Sequence, residues 1–292
     1  MMQFRSDGTF KIVQFTDLHW RNNDERDRQT KRLMDQILQH EQPDLIVFTG
    51  DIVESEFCEN IHQSCRQAVE SATESGLPWA VVFGNHDSER ADVDRGQMMD
   101  VYTSLPGCLA ERGPEDIHGV GNYVLQLESP SGQPAYALYF FDSGEYAPGH
   151  VGGYEWIHFS QIRWYQDQSS ALARTNGHPL PALAFFHIPL PEYQVVWEMG
   201  SCDGRKFESV CCPRLNTGLF SAMKLQGDVL GVFVGHDHIN DYAGELYGIK
   251  LCYGLKTGFN SYGHDDFRKG ARIIKLQVGS PVFETWLSTV EA

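Results

Sequence analysis

Phe10-Lys11-Ile12-Val13-Gln14-Phe15-Thr16-Asp17-Leu18-His19 changes character once: seven residues that read as a mostly buried strand give way to an Asp-x-His turn. Working outward, residues 28–40 carry Leu33, Ile37 and Leu38 at helical spacing, and residues 44–49 (DLIVFT) are strand again. This is a β-α-β unit. A second helical stretch near residues 61–75 leads through Gly76-Leu77-Pro78 into a third strand, residues 79–83 (WAVVF). The first ~90 residues therefore predict consecutive parallel strands joined by right-handed crossovers. Beyond a Gly/Pro-punctuated stretch, residues 106–121, strands are expected at 123–128 and 136–141 and a helix from 160 to about 173. Strands follow at 182–187, 229–234, 249–254, 271–278 and 282–287, the last four with few long helices between them. Such a late run predicts a second sheet, antiparallel at its edges, packed on the first with helices outside. Residues 192–217, rich in Gly, Cys and charge, are expected to form a long ordered loop.

With 292 residues and 41% hydrophobic side chains, the chain has ample material for a buried core, and a single domain over residues 1–292 is expected. Its formal charge is 23 minus 39, or -16. That balance repels polyanions and offers no basic stripe, so no nucleic-acid duplex is expected as a partner. A small phosphorylated substrate stays within reach, because the charge of a bound metal dominates locally. The seven cysteines (Cys58, Cys65, Cys108, Cys202, Cys211, Cys212, Cys252) are odd in number and lack C-x-x-C spacing, as expected of reduced thiols. The N-terminal residues hold no apolar stretch of signal-peptide length, and no segment approaches the ~18 apolar residues of a membrane span. A cytoplasmic protein without a membrane partner is the expectation; oligomeric state is left open.

Asp17-Leu18-His19 follows the first strand, Gly50-Asp51 the second and Gly84-Asn85-His86-Asp87 the third. His187 ends Ala-Leu-Ala-Phe-Phe, and Gly235-His236-Asp237-His238 ends Leu-Gly-Val-Phe-Val. In open α/β sheets the carboxyl ends of neighbouring strands share one crevice, so these sets converge. Singly each is ordinary: an Asp after a strand caps helices or makes turns, and a lone histidine is usually a satisfied core residue. Together, two Asp, one Asn and four His, with His86 besides, form a donor set for Zn, Fe or Mn. They suffice for two ions with one carboxylate as a bridge.

The ordered pattern D-x-H, G-D, G-N-H-D, H, G-H-x-H resembles that of the calcineurin-like metallophosphoesterases over about residues 10 to 260. The resemblance implies a four-layer α-β-β-α sandwich with two mixed β-sheets and the metal site at the carboxyl ends of the strands. It implies that Asp17, His19, Asp51 and His238 hold one ion and Asp51, Asn85, His187 and His236 the other, with Asp51 bridging. Tyr139-Phe140-Phe141-Asp142-Ser143-Gly144 and Val234-Gly235-His236-Asp237-His238-Ile239-Asn240-Asp241 are similar to the branch related to purple acid phosphatases. Two departures matter. The purple enzymes have Tyr where this chain has Glu54 and Gly where it has His19, so neither the colour nor an obligatory ferric ion carries over. Glu54 instead sits where calcineurin-type phosphatases place a carboxylate that orients the G-N-H histidine.

What this implies is phosphoester hydrolysis. Two ions ~4 Å apart bind phosphate oxygens, lower the pKa of a bridging water and stabilise in-line displacement by the resulting hydroxide. His86, which the resemblance leaves unligated, is assigned to the phosphoryl oxygens or the leaving group, with Glu54 orienting it. The expected substrate is a phosphomonoester, on a small molecule or a phosphoprotein. A phosphodiesterase on the same site is the close alternative, and a protein-binding scaffold without chemistry the distant one. Asp87, Asp237 and Asp142 are expected to make supporting hydrogen bonds. Tyr154, Trp156, Trp164, Tyr165, Tyr193 and Trp197 are expected mainly in the core. Residues 192–217 are expected as a substrate-selecting lid, and His264, Asp265 and Asp266 as residues near the mouth or on a solvated loop.

Overall fold

The parallel start predicted by the β-α-β pattern is present in the computed structural model, which describes residues 2–264 and 267–289. After a short β1 (Met2–Gln3), β2 (Thr9–Phe15) leads to α1 (Glu25–Glu41) and β3 (Leu45–Thr49). Helix α1 begins three residues before the expected start, because Asp24 caps it reciprocally with Asp27, a signal in polar residues that apolar spacing cannot show. The single helical stretch expected near 61–75 is two helices, α2 (Ile61–Ala68) and α3 (Glu70–Ser75), broken at Val69. They lead to β4 (Trp79–Val82), then α4 (Arg95–Thr103), which buries Met98, Met99 and Tyr102.

The second half contributes β5 (Tyr123–Glu128), β6 (Pro134–Phe140), α5 (Phe159–Asn176), β7 (Ala182–Phe185), α6 (Glu192–Glu198), α7 (Leu219–Gln226), β8 (Val229–Val234), β9 (Ala243–Leu246), β10 (Ile249–Tyr253), β11 (Ala271–Gln277) and β12 (Glu284–Ser288). Strands assemble into a five-stranded sheet, order β12-β11-β2-β3-β4, and a seven-stranded sheet, order β1-β5-β6-β7-β8-β10-β9. Both are mixed: β2, β3 and β4 run parallel while β11 pairs antiparallel with β2, and β6, β7, β8 and β10 run parallel between antiparallel β5 and β9.

The strand partners correct one expectation. The late strands do not form the second sheet by themselves: β11 and β12 return to the first sheet, and β5, β6 and β7 supply the middle of the second. Periodicity specifies that a segment is a strand, not which edge it covers. β11 is buried along Ala271 to Ile274 and covers the free edge of β2, with Ile273 opposite Val13.

Alternation along each strand sorts side chains into two cores. One joins Val13, Phe48 and Val81 to Leu138, Phe185 and Phe233, with Met34 of α1 and Met99 of α4. The other sets Ala184, Val232 and Leu251 against Tyr165 of α5, Val196 of α6 and Met223 of α7. The layers are helices, sheet, sheet, helices, as expected of the four-layer sandwich. Among the described residues no helix is long and apolar enough to cross a membrane.

Candidate metal centre

Five strands, β2, β3, β4, β7 and β8, end two or three residues before a candidate ligand, and the chain then turns sharply. Asp17, His19, Asp51 and His236 have φ of 53°, 49°, 49° and 77°, four of the eight non-glycine residues with positive φ among those described. This left-handed backbone costs about 1–3 kcal/mol per residue and persists only where the surroundings enforce it. Here they do: Asp17 N–H donates to Gly50 O (3.1 Å), His19 N–H to Asp51 O (2.9 Å), and His236 N–H to Asp17 Oδ1 (3.0 Å). Gly84 is required by space, since a Cβ there would collide with the Asp51 carboxylate and amide and come within 2.8 Å of His187 Nε2.

Donor atoms of Asp17, His19, Asp51 and His238 lie within 4.8 Å of one another, and so do those of Asp51, His187 and His236; all are buried and Asp51 belongs to both groups. Asp51 Oδ2 is 3.1 Å from His187 Nε2 and 3.6 Å from His19 Nε2, while Asp17 Oδ1 is 3.5 Å from His238 Nε2. His187 Nδ1 donates to Thr49 O (2.8 Å) and His238 Nδ1 to Tyr262 O (3.1 Å), which turns both Nε2 atoms inward; against burial, Asp51 raises His187 to about 9, so His187 Nε2 carries the proton that a cation would displace. Asn85 Nδ2 donates to Tyr146 Oη (3.2 Å), while its Oδ1 is buried without a partner, as is His236 Nε2. Buried acceptors without donors and imidazole nitrogens 2.9 Å apart, as in His19 and His238, fit a site that holds cations.

Electrostatics point the same way. Burial draws His236 down to about 3 and His238 to about 4, so both are neutral imidazoles, the ligand form. Burial also pushes Asp17 and Asp51 upward, but the adjoining histidines outweigh it and hold Asp17 at about 2 and Asp51 well below the carboxylate range. These carboxylates are ionised at neutral pH.

His86 stands outside both donor groups at the mouth of the site. Its N–H donates to Asp51 Oδ1 (2.9 Å), and its ring lies 5.0 Å from that of His19. The carboxylate in contact with its Nδ1 is Glu89 (Oε2, 2.8 Å), which replaces Glu54 in the expected orienting contact. Glu54 turns instead to Arg21, whose Nε donates to it at 2.8 Å. His86–Ser88 forms a single helical turn, which brings residue i+3 onto the imidazole, and Arg21 draws Glu54 away. That i+3 spacing in the sequence was the available signal for Glu89. Against burial, Asp51, Glu89 and Glu54 raise His86 to about 9.

Asp87 accepts from Gly84 N–H (2.7 Å) and Val53 N–H (2.9 Å), and Asp237 accepts from Tyr253 Oη (2.6 Å). Asp142 pairs with buried Arg95, whose other nitrogens donate to Ser88 Oγ (2.8 Å) and Gly84 O (2.7 Å). Arg95 thus props the G-N-H turn from below. Arg95→Met leaves Asp142 buried and unpaired, and breaking such a pair costs about 3–5 kcal/mol, read as a lowered urea midpoint at unchanged slope.

Residues 192–217 are not a loop throughout: α6 opens the segment, because Tyr193 and Val196 bury against the second sheet. Its later part is tied to the turn after β8, where Arg205 pairs with Asp241 (2.9 Å) and Glu208 accepts from Ile239 N–H (2.8 Å). Trp164, Tyr165 and Tyr193 are core residues as expected. Tyr154 is an exception, with its ring edge-on to His236 at 4.3 Å. His264 stacks on Phe207, and Asp265 and Asp266 lie outside the described residues. Two further neighbours carry no sequence signal: Tyr146, which also donates to Glu89 (2.8 Å), and buried Lys256, whose Nζ donates to Asp17 O (3.1 Å).

Two sheets that gather ionised carboxylates and imidazoles around one shared aspartate present a donor set consistent with a binuclear metal site. The chain belongs to the calcineurin-like phosphoesterase family, whose sequence profile matches residues 10–240. Probable inactive purple acid phosphatase 14 of Arabidopsis thaliana is 34% identical over 320 residues, covering 98% of this chain and 79% of that protein. Phosphatase DCR2 of Saccharomyces cerevisiae is 34% identical over 288 residues, 87% of this chain and 49% of that one. The fold is similar to that of a dimetal phosphatase from Danio rerio (TM-score 0.61, 15% identity, 96% of this chain and 98% of that chain).

Proposed function

We propose that the protein hydrolyses phosphomonoesters with two cations, one held by Asp17, His19, Asp51 and His238 and the other by Asp51, Asn85, His187 and His236. The membership of Asp51 in both donor groups carries this reading. Mn, Fe or Zn in some combination suits the mixed imidazole, carboxylate and amide donors. When bound, such a pair supplies Lewis acidity that takes charge from phosphoryl oxygens and acidifies a water. The chain's own residues do the rest. Asp17 and Asp51 offset the cationic charge, and the backbone bonds of the left-handed turns keep the donors in place. His86, held by Glu89, faces the substrate side and donates a proton to the leaving oxygen or a hydrogen bond to the phosphoryl group.

The substrate class is a phosphorylated metabolite or a phosphoprotein, and the charge of -16 disfavours a duplex. Seven free thiols support a cytoplasmic location. A non-catalytic scaffold is the second reading, favoured by the word inactive in the name of the Arabidopsis relative. The complete donor set supports catalysis against it. The deciding experiment strips the protein, reloads it with Mn²⁺ and compares a chromogenic phosphomonoester with the matching diester. Preference for the monoester is expected. Preference for the diester would make the protein a phosphodiesterase, and two bound metals with no turnover of either would favour the scaffold.

A further inference from the structure

A second cluster of metal-ligating side chains shares no residue with the binuclear centre. His118 Nε2 and His158 Nε2 each lie 3.0 Å from the same oxygen of Glu155, Oε1, and the donor atoms of all three lie within 4.8 Å of one another. The imidazole rings stack with centroids 3.6 Å apart. Neither is a loose surface histidine. His118 N–H donates to Ser160 Oγ (3.2 Å) and its carbonyl accepts from Asn122 Nδ2 (2.8 Å), while His158 N–H donates to Gln161 Oε1 (2.7 Å). Glu155 is oriented in turn, because its other oxygen accepts from Glu145 N–H (3.3 Å). With 41%, 20% and 29% of their side-chain surfaces exposed, the three groups are reachable by an ion from solvent.

We propose that His118, Glu155 and His158 bind a third divalent transition-metal ion, of the Zn²⁺ class, outside the binuclear centre. Two imidazoles and one carboxylate are a three-ligand zinc set, and solvent can fill the fourth position. Binding displaces the protons that both Nε2 atoms present to Glu155, and the ion takes over the two contacts to Oε1. The cost of assembling such a site is small because hydrogen bonds already hold the three residues near one another.

The location gives the ion a task. Glu155 and His158 stand on the strap between β6 and α5, and His118 on the turn before β5, so one ion ties strap to turn. The same strap carries Tyr146 and Tyr154, which bridge each other and touch Asn85 and His236 of the binuclear centre. A metal here clamps the aromatic wall of the substrate site without touching substrate.

The test measures zinc content of the 292-residue chain after chelation and equilibrium dialysis against Zn²⁺, with circular dichroism to verify folding. His118→Ala is expected to lose one equivalent, both in the wild-type background and in Asp51→Asn, where the binuclear centre is weakened. Glu155→Gln keeps both imidazoles and is expected to weaken that equivalent by more than the ~10–100-fold typical of losing an outer-shell partner. Equal zinc content in folded wild type and His118→Ala would overturn the proposal. Unchanged affinity in Glu155→Gln would also overturn it, by reducing the site to a histidine pair. Since each His118→Ala protein is compared with its own background and no turnover is read, failure here is separable from failure of the proposed hydrolase activity.

Discussion

Asp51→Asn is expected to lower kcat/KM for a phosphomonoester by about 10³-fold or more, and to reduce the metal content of the binuclear centre below two ions per chain. The substitution keeps size and shape but removes the negative charge shared by the two donor groups. It also places an N–H₂ donor where His187 Nε2 approaches at 3.1 Å, or turns it toward the His86 N–H that Oδ1 now accepts. Either orientation spoils one contact. Losing an outer-shell partner of a metal ligand already costs about 10–100-fold, and a shared inner ligand must cost more. The measurement pairs metal analysis with steady-state kinetics on the same preparation. Wild-type rates with two ions still bound would show that Asp51 is not the bridge.

His86→Ala is expected to reduce kcat by about 10²–10⁴-fold while both ions stay bound, because the imidazole is outside both donor groups yet beside them. A group that gives a proton to the leaving oxygen must be protonated, so wild-type kcat should fall on the alkaline side, and that limb should vanish in the variant. Loss of metal from His86→Ala would instead make His86 a ligand. Two carboxylate variants separate the orienting roles. Glu89→Gln weakens a 2.8 Å contact to Nδ1 and should cost about tenfold in kcat, rescued in part by Glu89→Asp. Glu54→Gln should cost less, since its carboxylate is engaged by Arg21. The reverse order would return the orienting role to Glu54.

The candidate ligands were legible because each follows a strand that is itself legible. Buried strands are short apolar runs, and the turn that ends each one interrupts the run with Asp, Asn, Gly or His. Resemblance then paired those residues into two sets. Glu89 was within reach as the residue three after His86, but choosing it over Glu54 needed the position of Arg21. Tyr146 and Tyr154 were not separable from core aromatics, since exposure of a ring toward a cleft leaves no trace in local spacing. Lys256 comes from a distant segment and meets Asp17 only through the packing of both sheets.

The sequence by itself determined ten of the twelve strands among the described residues, all but β1 and β9, with the parallel start, the donor types and their order, because these depend on local periodicity and on the chemistry of side chains. Tertiary structure alone decided which sheet β11 and β12 join, which carboxylate holds His86, and that His118, Glu155 and His158 meet. The physical reason is the same in each case. Strand edges, buried charges and imidazoles accept several partners of nearly equal local merit, and the choice falls to whichever neighbour the long-range packing brings within hydrogen-bond distance.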